Sequence, residues 1–209
     1  MEDYKKYRWF YTSSGLLVIG GKNAIQNDEL LSKTKDNKEN FIIMHTSEPG
    51  SPFCVIQAPI SNISKQDIEE TSIFTGCFSR AWRMGKSSAQ VDIFNSSQIH
   101  KNKNMNAGTW GVYGDIQRVS VPLSLVFTKQ KDILRAIPEK TFIRSLQPSK
   151  SKKPVKDISV VKITPGNIEK AHMFAKLELE LDDTLGEEQV LSAIPAGKFK
   201  IQKEVIIIK

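Results

Sequence analysis

The sequence contains only two cysteines, Cys54 and Cys77, and each lies inside a short apolar stretch. A disulfide framework or a zinc knuckle needs more cysteines or a closer spacing, so the pattern favours buried free thiols in a reducing compartment. The three histidines, His45, His100 and His172, have no second histidine or carboxylate at ligand spacing, which argues against a zinc site. We therefore predict no metal and no cofactor.

Long apolar runs are also lacking, since none approaches the roughly 20 residues that a bilayer-spanning helix needs. The N-terminus has early acidic residues and no apolar segment of the secretory type. These features predict a soluble, cytoplasmic protein with no membrane partner.

Positive charge is in excess: 30 lysines and arginines stand against 23 acidic residues, which gives a net charge of +7 and an isoelectric point near 9.3. This balance indicates a polyanionic partner, with nucleic acid first and an anionic membrane surface second. Charge alone does not decide the matter, because many basic proteins bind neither.

Apolar periodicity predicts the main elements. Residues 7–19 have the pattern of a β-hairpin, and residues 65–83 have apolar side chains at a spacing of three and four behind a Ser64 cap, which predicts one long helix. Residues 164–167 have the composition of a turn. Together the elements predict an α+β fold, mainly an antiparallel β-sheet with a long amphipathic helix packed on it and a small C-terminal α/β appendage.

The length of 209 residues allows one main core and a smaller unit, because domains usually hold about 100 to 150 residues. A Ser/Lys/Pro-rich stretch marks the division. We predict a main domain over 1–146, a linker over 147–156 and a small C-terminal α/β subdomain over 157–209.

Two loops at predicted strand ends stand out, Gly20-Gly21-Lys22-Asn23 and residues 45–52. The first lacks the spacing of a nucleoside triphosphate or dinucleotide loop. Its backbone N–H groups, with Lys22, Asn23 and Asn27, could bind a phosphate at a helix N-terminus. Alternatively, the two glycines form a tight turn that needs a positive φ.

RNA recognition requires cations along a phosphate path and planar groups for base stacking. The candidates of these kinds are Arg8, Trp9, Lys22, Arg80, Trp82, Arg83, Lys86, Lys101, Lys103 and Trp110. Trp82 lies on the apolar stripe of the predicted helix and is expected in the core. The pattern around Trp9 allows a buried and an exposed position equally. Trp110, between glycines in a basic loop, is the best stacking candidate, and an aromatic plug over the core is the alternative.

Several short motifs follow one another in a familiar order. They are Arg8-Trp9-Phe10, Ser13-Ser14-Gly15, the stretch from Leu17 to Ala24, Gln26-Asn27-Asp28, Met44-His45, Pro49-Gly50-Ser51-Pro52 and Ser79-Arg80-Ala81-Trp82. In this order the chain resembles the NFACT-R domain, the RNA-binding domain of the NFACT family, which includes NEMF, Caliban and bacterial fibronectin-binding protein A. Residues 164–167 and 193–197 are similar to the tail of archaeal-type versions.

The resemblance implies an α+β RNA-binding module without established catalysis. It points to tRNA or rRNA as the partner, with the ribosome and translation quality control as the setting. Because the chain begins close to the domain's first strand, we expect a stand-alone version without the other NFACT parts. The positions that the resemblance implies as functional surface are Trp9, Gly20, Gly21, Lys22, Asn23, Asn27, His45, Pro49, Gly50, Ser51 and Arg80.

Two other function classes stay open. The chain could be a catalytic or accessory subunit of an RNA-modification system, with His45 beside Ser47, Glu48 or Ser51 around a nucleotide; Cys54 is the thiol nearest to His45 in sequence. A cleft that contains His45 with a perturbed pKa would favour this class. The chain could also be a protein-interaction module whose basic helix end docks an acidic ribosomal partner. No complete catalytic set is present in the sequence, so catalysis is not predicted.

Overall fold

The computed structural model describes residues 3–146, 157–181 and 186–206. In these ranges the chain forms twelve strands and six α-helices. The strands are β1 (Arg8–Tyr11), β2 (Leu17–Gly20), β3 (Ile42–Thr46), β4 (Cys54–Ile56), β5 (Ser88–Asn95), β6 (Ile99–His100), β7 (Gly111–Val112), β8 (Gln117–Pro122), β9 (Leu125–Gln130), β10 (Ile133–Ile137), β11 (Ile158–Ile168) and β12 (Phe199–Ile206). The helices are α1 (Ala24–Lys35), α2 (Lys65–Cys77), α3 (Arg80–Arg83), α4 (Glu139–Leu146), α5 (Lys170–Leu181) and α6 (Glu187–Ala193).

The first sheet has six strands in the order β1-β2-β4-β3-β5-β8, and every neighbouring pair is antiparallel. The predicted hairpin is confirmed, because β1 pairs with β2 across a turn at Gly15, whose φ of 89° suits a residue without a side chain. A second sheet has the order β10-β9-β11-β12 and is also antiparallel. The expected α+β class with mainly antiparallel sheet is therefore confirmed.

The first sheet is buried on both faces because successive residues of a strand point to opposite sides. In β1, Trp9 belongs to a core cluster with residues of α1, whereas Phe10 belongs to the larger cluster that contains α2 and the second sheet. Val18 and Ile19 in β2 divide in the same way. The first sheet therefore packs against a separate hydrophobic cluster on each of its two faces.

The predicted helix over 65–83 is in fact two helices. Ser64 caps α2 as expected, but the helix ends at Cys77 and α3 begins after Ser79, whose Oγ accepts a hydrogen bond from the N–H of Ala81 at 3.1 Å. The same helical spacing places Ser72 and Ser79 on the polar side of the predicted helix, and this part of the prediction is wrong, because the two residues are only 1% and 6% exposed. The break turns α3 toward the strand ends of the first sheet.

The second sheet takes strands from both sides of the predicted division: β9 and β10 precede residue 147, and β11 and β12 follow residue 156. The predicted linker, 147–156, lies outside the described residues, and the division into units stays a prediction. The predicted turn at 164–167 is wrong, because these residues lie within β11 at a shift in its pairing with β12. Across the described ranges, no helix has the length and apolar character to cross a membrane.

Two carboxylates of α2 fasten the hairpin turn to the helix. Asp67 accepts hydrogen bonds from the Ser14 hydroxyl at 2.5 Å and from the Ser64 N–H at 2.9 Å. Glu70, fully buried, accepts from the N–H of Ser13 at 2.8 Å and pairs with Arg144 at 3.0 Å. Burial opposes ionisation of Asp67, but the hydroxyl and N–H donors outweigh it and lower the pKa of this carboxyl.

This pKa shift gives a pH-dependent stability prediction. Because the folded-state pKa of Asp67 lies below its unfolded value of about 3.9, its stabilisation is present above that pH and is lost as the pH falls through the folded pKa. Asp67→Asn is therefore expected to lower the free energy of unfolding by about 2 kcal/mol at pH 7 and by less at pH 3. Urea unfolding at both pH values measures the difference, with Asp115→Asn, at an exposed position, as the control. An equal cost of Asp67→Asn at both pH values would contradict the prediction.

Candidate nucleic-acid interface

A cleft of about 690 Å³ lies at one edge of the first sheet. The strand register creates it: Arg8 at the start of β1 pairs with Gly20 at the end of β2, Gly20 pairs with Cys54 at the start of β4, and Cys54 pairs with Met44 near the end of β3. In an antiparallel sheet these starts and ends meet at the same edge. The two loops that the sequence analysis selected therefore face each other across the cleft.

Most of the predicted site residues line this cleft. They are Arg8, Gly21, Lys22, Asn23, Asn27, His45, Pro49, Gly50, Ser51, Arg80, Arg83 and Trp110. Six predicted residues do not line it: Trp9, Gly20, Trp82, Lys86, Lys101 and Lys103. Trp82 is buried, as expected, and Lys86 pairs with Glu48 at 3.2 Å. The structure thus brings together residues that are up to about 100 positions apart in the sequence.

Gly20 and Gly21 are needed because other atoms of the chain lie close to their Cα atoms, and not because the backbone there is left-handed. Neither Gly20 nor Gly21 has a positive φ, so that part of the tight-turn interpretation is wrong. A side chain at Gly21 would clash with Asn27, whose backbone nitrogen lies 2.8 Å from the Cβ position, and one at Gly20 would lie 2.8 Å from the Cys54 sulfur. Asn23 caps α1 by accepting a hydrogen bond from the N–H of Gln26 at 2.9 Å.

Side chains of the cleft also tie the two loops to the rest of the fold. The Oδ1 of Asn27 accepts a hydrogen bond from the N–H of Phe53 at 3.3 Å, and the hydroxyl of Ser51 accepts one from the N–H of Thr46 at 2.9 Å. The carbonyl of Gly50, a residue with a φ of 106°, accepts from the N–H of Arg80 at 2.9 Å. Asn27 and Ser51 therefore have structural roles, because their hydrogen bonds fix the positions of the loops that line the cleft.

His45 forms part of the cleft surface. Its ring stacks on Phe53 with centroids 4.3 Å apart, and its Nδ1 lies 2.6 Å from the Thr46 carbonyl oxygen, so Nδ1–H donates and Nε2 is the acceptor nitrogen. Burial lowers the pKa of His45, although the hydrogen bond to Thr46 and the charge of Asp92 oppose the shift. Burial raises the pKa of the Cys54 thiol to about 12, so a Cys54–His45 nucleophile is not supported.

Four cations surround the cleft: Arg8, Lys22, Arg80 and Arg83. None of the four has a carboxylate at ion-pair distance among the described residues. Asp92 is the one acidic residue in the described lining, and it is bound by Arg118 at 2.6 Å and by Ser47 at 2.8 Å. Its negative charge is thus largely compensated, and the cleft has an excess of positive charge.

The structure contradicts the prediction that Trp9 and Lys101 contact RNA. Trp9 is 2% exposed and lies under the guanidinium of Arg135, 4.7 Å from the ring centroid, so it offers no ring face to a base. The ammonium of Lys101 donates to Asp28 and to the carbonyls of Asn106 and Thr109, each at 2.9 Å, which uses its three N–H groups. Lys101 therefore holds its own loop together instead of offering a free charge.

For Trp110 and Lys103, the structure neither confirms nor contradicts the predicted contact with RNA. Trp110 is half-buried: its ring packs against the core cluster around α1, and it also lines the cleft, so both alternatives of the sequence analysis apply to it. Lys103 is exposed in the same loop but outside the cleft.

Asp28 is the residue that the sequence analysis missed. Its carboxylate accepts from Lys101 at 2.9 Å, from the N–H of Gly108 at 2.9 Å and from the indole N–H of Trp110 at 2.7 Å. Burial opposes its ionisation, but these donors outweigh it and lower the pKa of Asp28. The only signal was its place in the motif Gln26-Asn27-Asp28; the partners, about 75 to 80 positions away, could not be inferred.

Two further features escaped the sequence analysis. Tyr113 is 61% exposed and stacks on His100, with centroids 3.9 Å apart and planes at 14°, beside the loop that carries Trp110. The C-terminal turn also reaches the cleft: Ala196 lines it, and a side chain at Gly197 would lie 2.9 Å from the Cα of Arg83. Residues after the predicted boundary therefore support α3 and the cleft.

Potential metal ligands are dispersed through residues 3–146, 157–181 and 186–206, where no group of three or more His, Cys, Asp and Glu side chains could hold an ion.

Comparison with known proteins gives several similarities. The chain is 28% identical over 211 aligned positions to the archaeal Rqc2 homolog aRqcH of Methanocaldococcus jannaschii, an alignment that covers 96% of this chain and 29% of that protein. It is 29% identical over 80 residues to the ribosome quality control complex subunit NEMF of human and of mouse, which covers 38% of this chain and 7% of NEMF. The chain thus spans less than a third of the length of these relatives.

A solved structure shows the same fold. The C-terminal part of the fibronectin/fibrinogen-binding protein from Streptococcus suis superposes with a TM-score of 0.50 at 23% identity, over 56% of this chain and 45% of that one.

A family profile, described as the NFACT protein RNA binding domain, matches residues 6–114. This range is 109 of the 209 residues and includes both loops, α2, α3 and Trp110. The chain therefore belongs to the NFACT protein RNA-binding domain family.

Proposed function

We propose that the cleft binds structured RNA, either tRNA or rRNA. The observation that carries the proposal is the group of four cations, Arg8, Lys22, Arg80 and Arg83, without carboxylate partners among the described residues. Phosphate groups dominate the affinity of proteins for nucleic acids, and such a group matches a phosphate path. Half-buried Trp110, whose ring centroid lies 5.6 Å from the ammonium of Lys101, adds an aromatic edge to the cleft that an unpaired base could contact.

We further propose that the chain works at the ribosome, in the cytoplasm, in quality control of translation. Support comes from the names of its relatives, an Rqc2 homolog and a ribosome quality control complex subunit. Because the chain covers 29% and 7% of those proteins, their other parts have no counterpart in these alignments. We therefore restrict the proposed activity of this chain to RNA binding by the cleft.

The experiment is a binding titration against salt. Purified protein is titrated into labelled tRNA, an rRNA fragment and duplex DNA by fluorescence anisotropy at several salt concentrations. If the four cations contact phosphates, the logarithm of the RNA-binding constant should fall with the logarithm of salt with a slope of about −3. Lys22→Ala and Arg80→Ala should each weaken binding and reduce this slope by about one unit.

The control is Lys33→Ala on the exposed side of α1, outside the cleft, which should leave the slope unchanged. An RNA affinity that does not change between low and moderate salt, or no RNA binding at micromolar protein, would refute the proposal. Binding to tRNA but not to the rRNA fragment, or the reverse, identifies the RNA class.

RNA modification is the second candidate function. It is favoured because His45 and Asn27 line the same cleft and because burial lowers the pKa of His45, which leaves a neutral imidazole with Nε2 as an acceptor at neutral pH. Mass spectrometry of RNA incubated with the protein tests this function. An unchanged RNA mass would leave binding as the activity of the cleft.

A further inference from the structure

We propose that half-buried Arg8, with exposed Lys22 at its mouth, forms a recessed phosphate subsite, so that the cleft selects an unpaired nucleotide of the RNA over the flank of a duplex. This inference rests on the proposed RNA-binding function and adds the kind of RNA structure that the site takes. It concerns Arg8 and the neighbouring Lys22, as distinct from Arg80 and Arg83 on α3.

The position of Arg8 is set by the first sheet. Arg8 begins β1 and pairs with Gly20, so its side chain emerges beside the loop that carries Lys22. Its guanidinium carbon lies 4.9 Å from the centroid of the Phe78 ring, an arrangement typical of a cation–π contact. The contact with the Phe78 ring restrains the guanidinium, whose planar fork can offer two parallel N–H groups to a phosphate.

Arg8 is close enough to Lys22 to affect its pKa. Burial lowers the pKa of Arg8, and burial followed by the charges of Arg8 and Arg135 lowers the pKa of Lys22. The pKa of Lys170, on α5, is lowered by burial and then by the charge of Arg8. The pKa values of Lys22 and Lys170 thus both respond to the positive charge of Arg8.

Three other partly buried cations have carboxylate partners, whereas Arg135 and Lys170 donate to carbonyl and hydroxyl oxygens. Arg144 pairs with Glu70 at 3.0 Å, Lys162 with Glu139 at 2.9 Å and Lys101 with Asp28 at 2.9 Å. In the described part of the chain, by contrast, Arg8 and Lys22 have no carboxylate at ion-pair distance. Unpaired charges that lose water are costly in a folded protein, and a bound anion would offset this cost.

Depth separates Arg8 from the other three cations of the cleft. Lys22, Arg80 and Arg83 are exposed, whereas Arg8 is half-buried against Phe78. The phosphates of a duplex lie on its outer surface and can reach exposed cations. A recessed arginine is better matched by a nucleotide that leaves the stack, because such a nucleotide can bring its phosphate inward, past Lys22, while its base stacks on a protein ring.

The cleft has a suitable size and surface for such a nucleotide. Its volume of about 690 Å³ lies within the roughly 300 to 1,000 Å³ of small-molecule sites. Trp110 and the stacked pair of His45 and Phe53 line it together with Arg8 and Lys22. Flat groups for a base and cations for its phosphate are thus present in one cavity.

The test compares three RNA hairpins with the same stem: one blunt, one with a single-stranded 3′ extension and one with an internal bulge. Binding is measured by anisotropy at one salt concentration. The wild-type protein is expected to bind the extended or the bulged hairpin about tenfold more tightly than the blunt one. Which of the two binds more tightly distinguishes a strand end from a looped-out nucleotide.

Variants assign the selectivity to Arg8 and Lys22. Lys22→Gln and Arg8→Gln are expected to reduce the preference to less than about twofold, whereas Arg8→Lys should retain part of it. The matched control, Arg83→Gln, removes an exposed cation of α3 and should weaken binding to all three hairpins by a similar factor. Thermal unfolding shows that each variant is folded; Lys22 is exposed in a loop, so Lys22→Gln carries the test if Arg8→Gln is unfolded.

The outcomes separate this inference from the proposed function. Tight wild-type binding to all three hairpins with equal affinity overturns the recessed subsite and leaves RNA binding intact. No binding to any hairpin at low salt overturns the proposed function itself. A preference that Lys22→Gln leaves unchanged, or that Arg83→Gln abolishes equally, shows that selectivity does not come from Arg8 and Lys22 and also overturns the inference.

Discussion

Replacement of both Lys22 and Arg80 by glutamate is expected to lower the affinity for structured RNA by at least about 100-fold at low salt. The two side chains lie on different sides of the cleft, one in the glycine loop and one on α3 beside Gly50. Each replacement removes an attraction to phosphate and adds a repulsion. Anisotropy titrations measure the loss.

The fold should tolerate this double variant, because both side chains are exposed and neither is in an ion pair within the described ranges. Thermal unfolding should therefore show a change of only a few degrees. The matched control is Lys33→Glu with Lys35→Glu on α1, which changes the net charge equally but lies outside the cleft. A control variant that loses as much affinity as the cleft variant would mean that overall charge, and not the cleft, binds RNA.

Asp28→Ala is the second variant with a large expected effect. It removes the acceptor of three hydrogen bonds, from Lys101, Gly108 and Trp110, and it leaves the ammonium of Lys101 without its ion-pair partner. Hydrogen bonds to charged groups contribute about 1.5 to 3 kcal/mol each, and the partial exposure of this group reduces their sum. We expect a loss of about 3 kcal/mol in the free energy of unfolding.

The loss should be concentrated in the loop that Asp28 holds. Faster amide hydrogen exchange is expected over residues 101–110, together with weaker RNA binding, because Trp110 and Gly108 line the cleft. Asp36→Ala, at the exposed end of α1, is the control. If Asp28→Ala leaves both hydrogen exchange in the loop and the free energy of unfolding unchanged, the organising role of Asp28 is wrong.

Local patterns were enough to predict the parts of the fold that depend on neighbouring residues. The hairpin of β1 and β2 and the Ser64 cap were predicted because their signals lie within a few positions. The two loops were selected because both follow or precede apolar strands. Their meeting across a cleft is a consequence of antiparallel register, which periodicity alone does not give.

Features that depend on distant contacts could not be predicted. Trp9 has a strand pattern that suits either face of a sheet, and it is buried because helix α1 and Arg135 cover it. Lys101 looked like a free cation because its partner, Asp28, lies 73 positions earlier. The start of α3 has a local signal, the Ser79 cap, and also a contact that lies 30 positions away, the bond between the N–H of Arg80 and the carbonyl of Gly50; only the second could not be read from neighbouring residues.

The central claim is that the cleft between the two loops is the RNA-binding surface, and photocrosslinking to bound RNA tests it most directly. Protein bound to tRNA or rRNA is irradiated, digested and analysed by mass spectrometry to locate the crosslinked residues. The account predicts crosslinks in residues 20–27, 45–53 and 107–112, which line or adjoin the cleft. Crosslinks confined to the second sheet or to the far end of α1, with none in these segments, would contradict it.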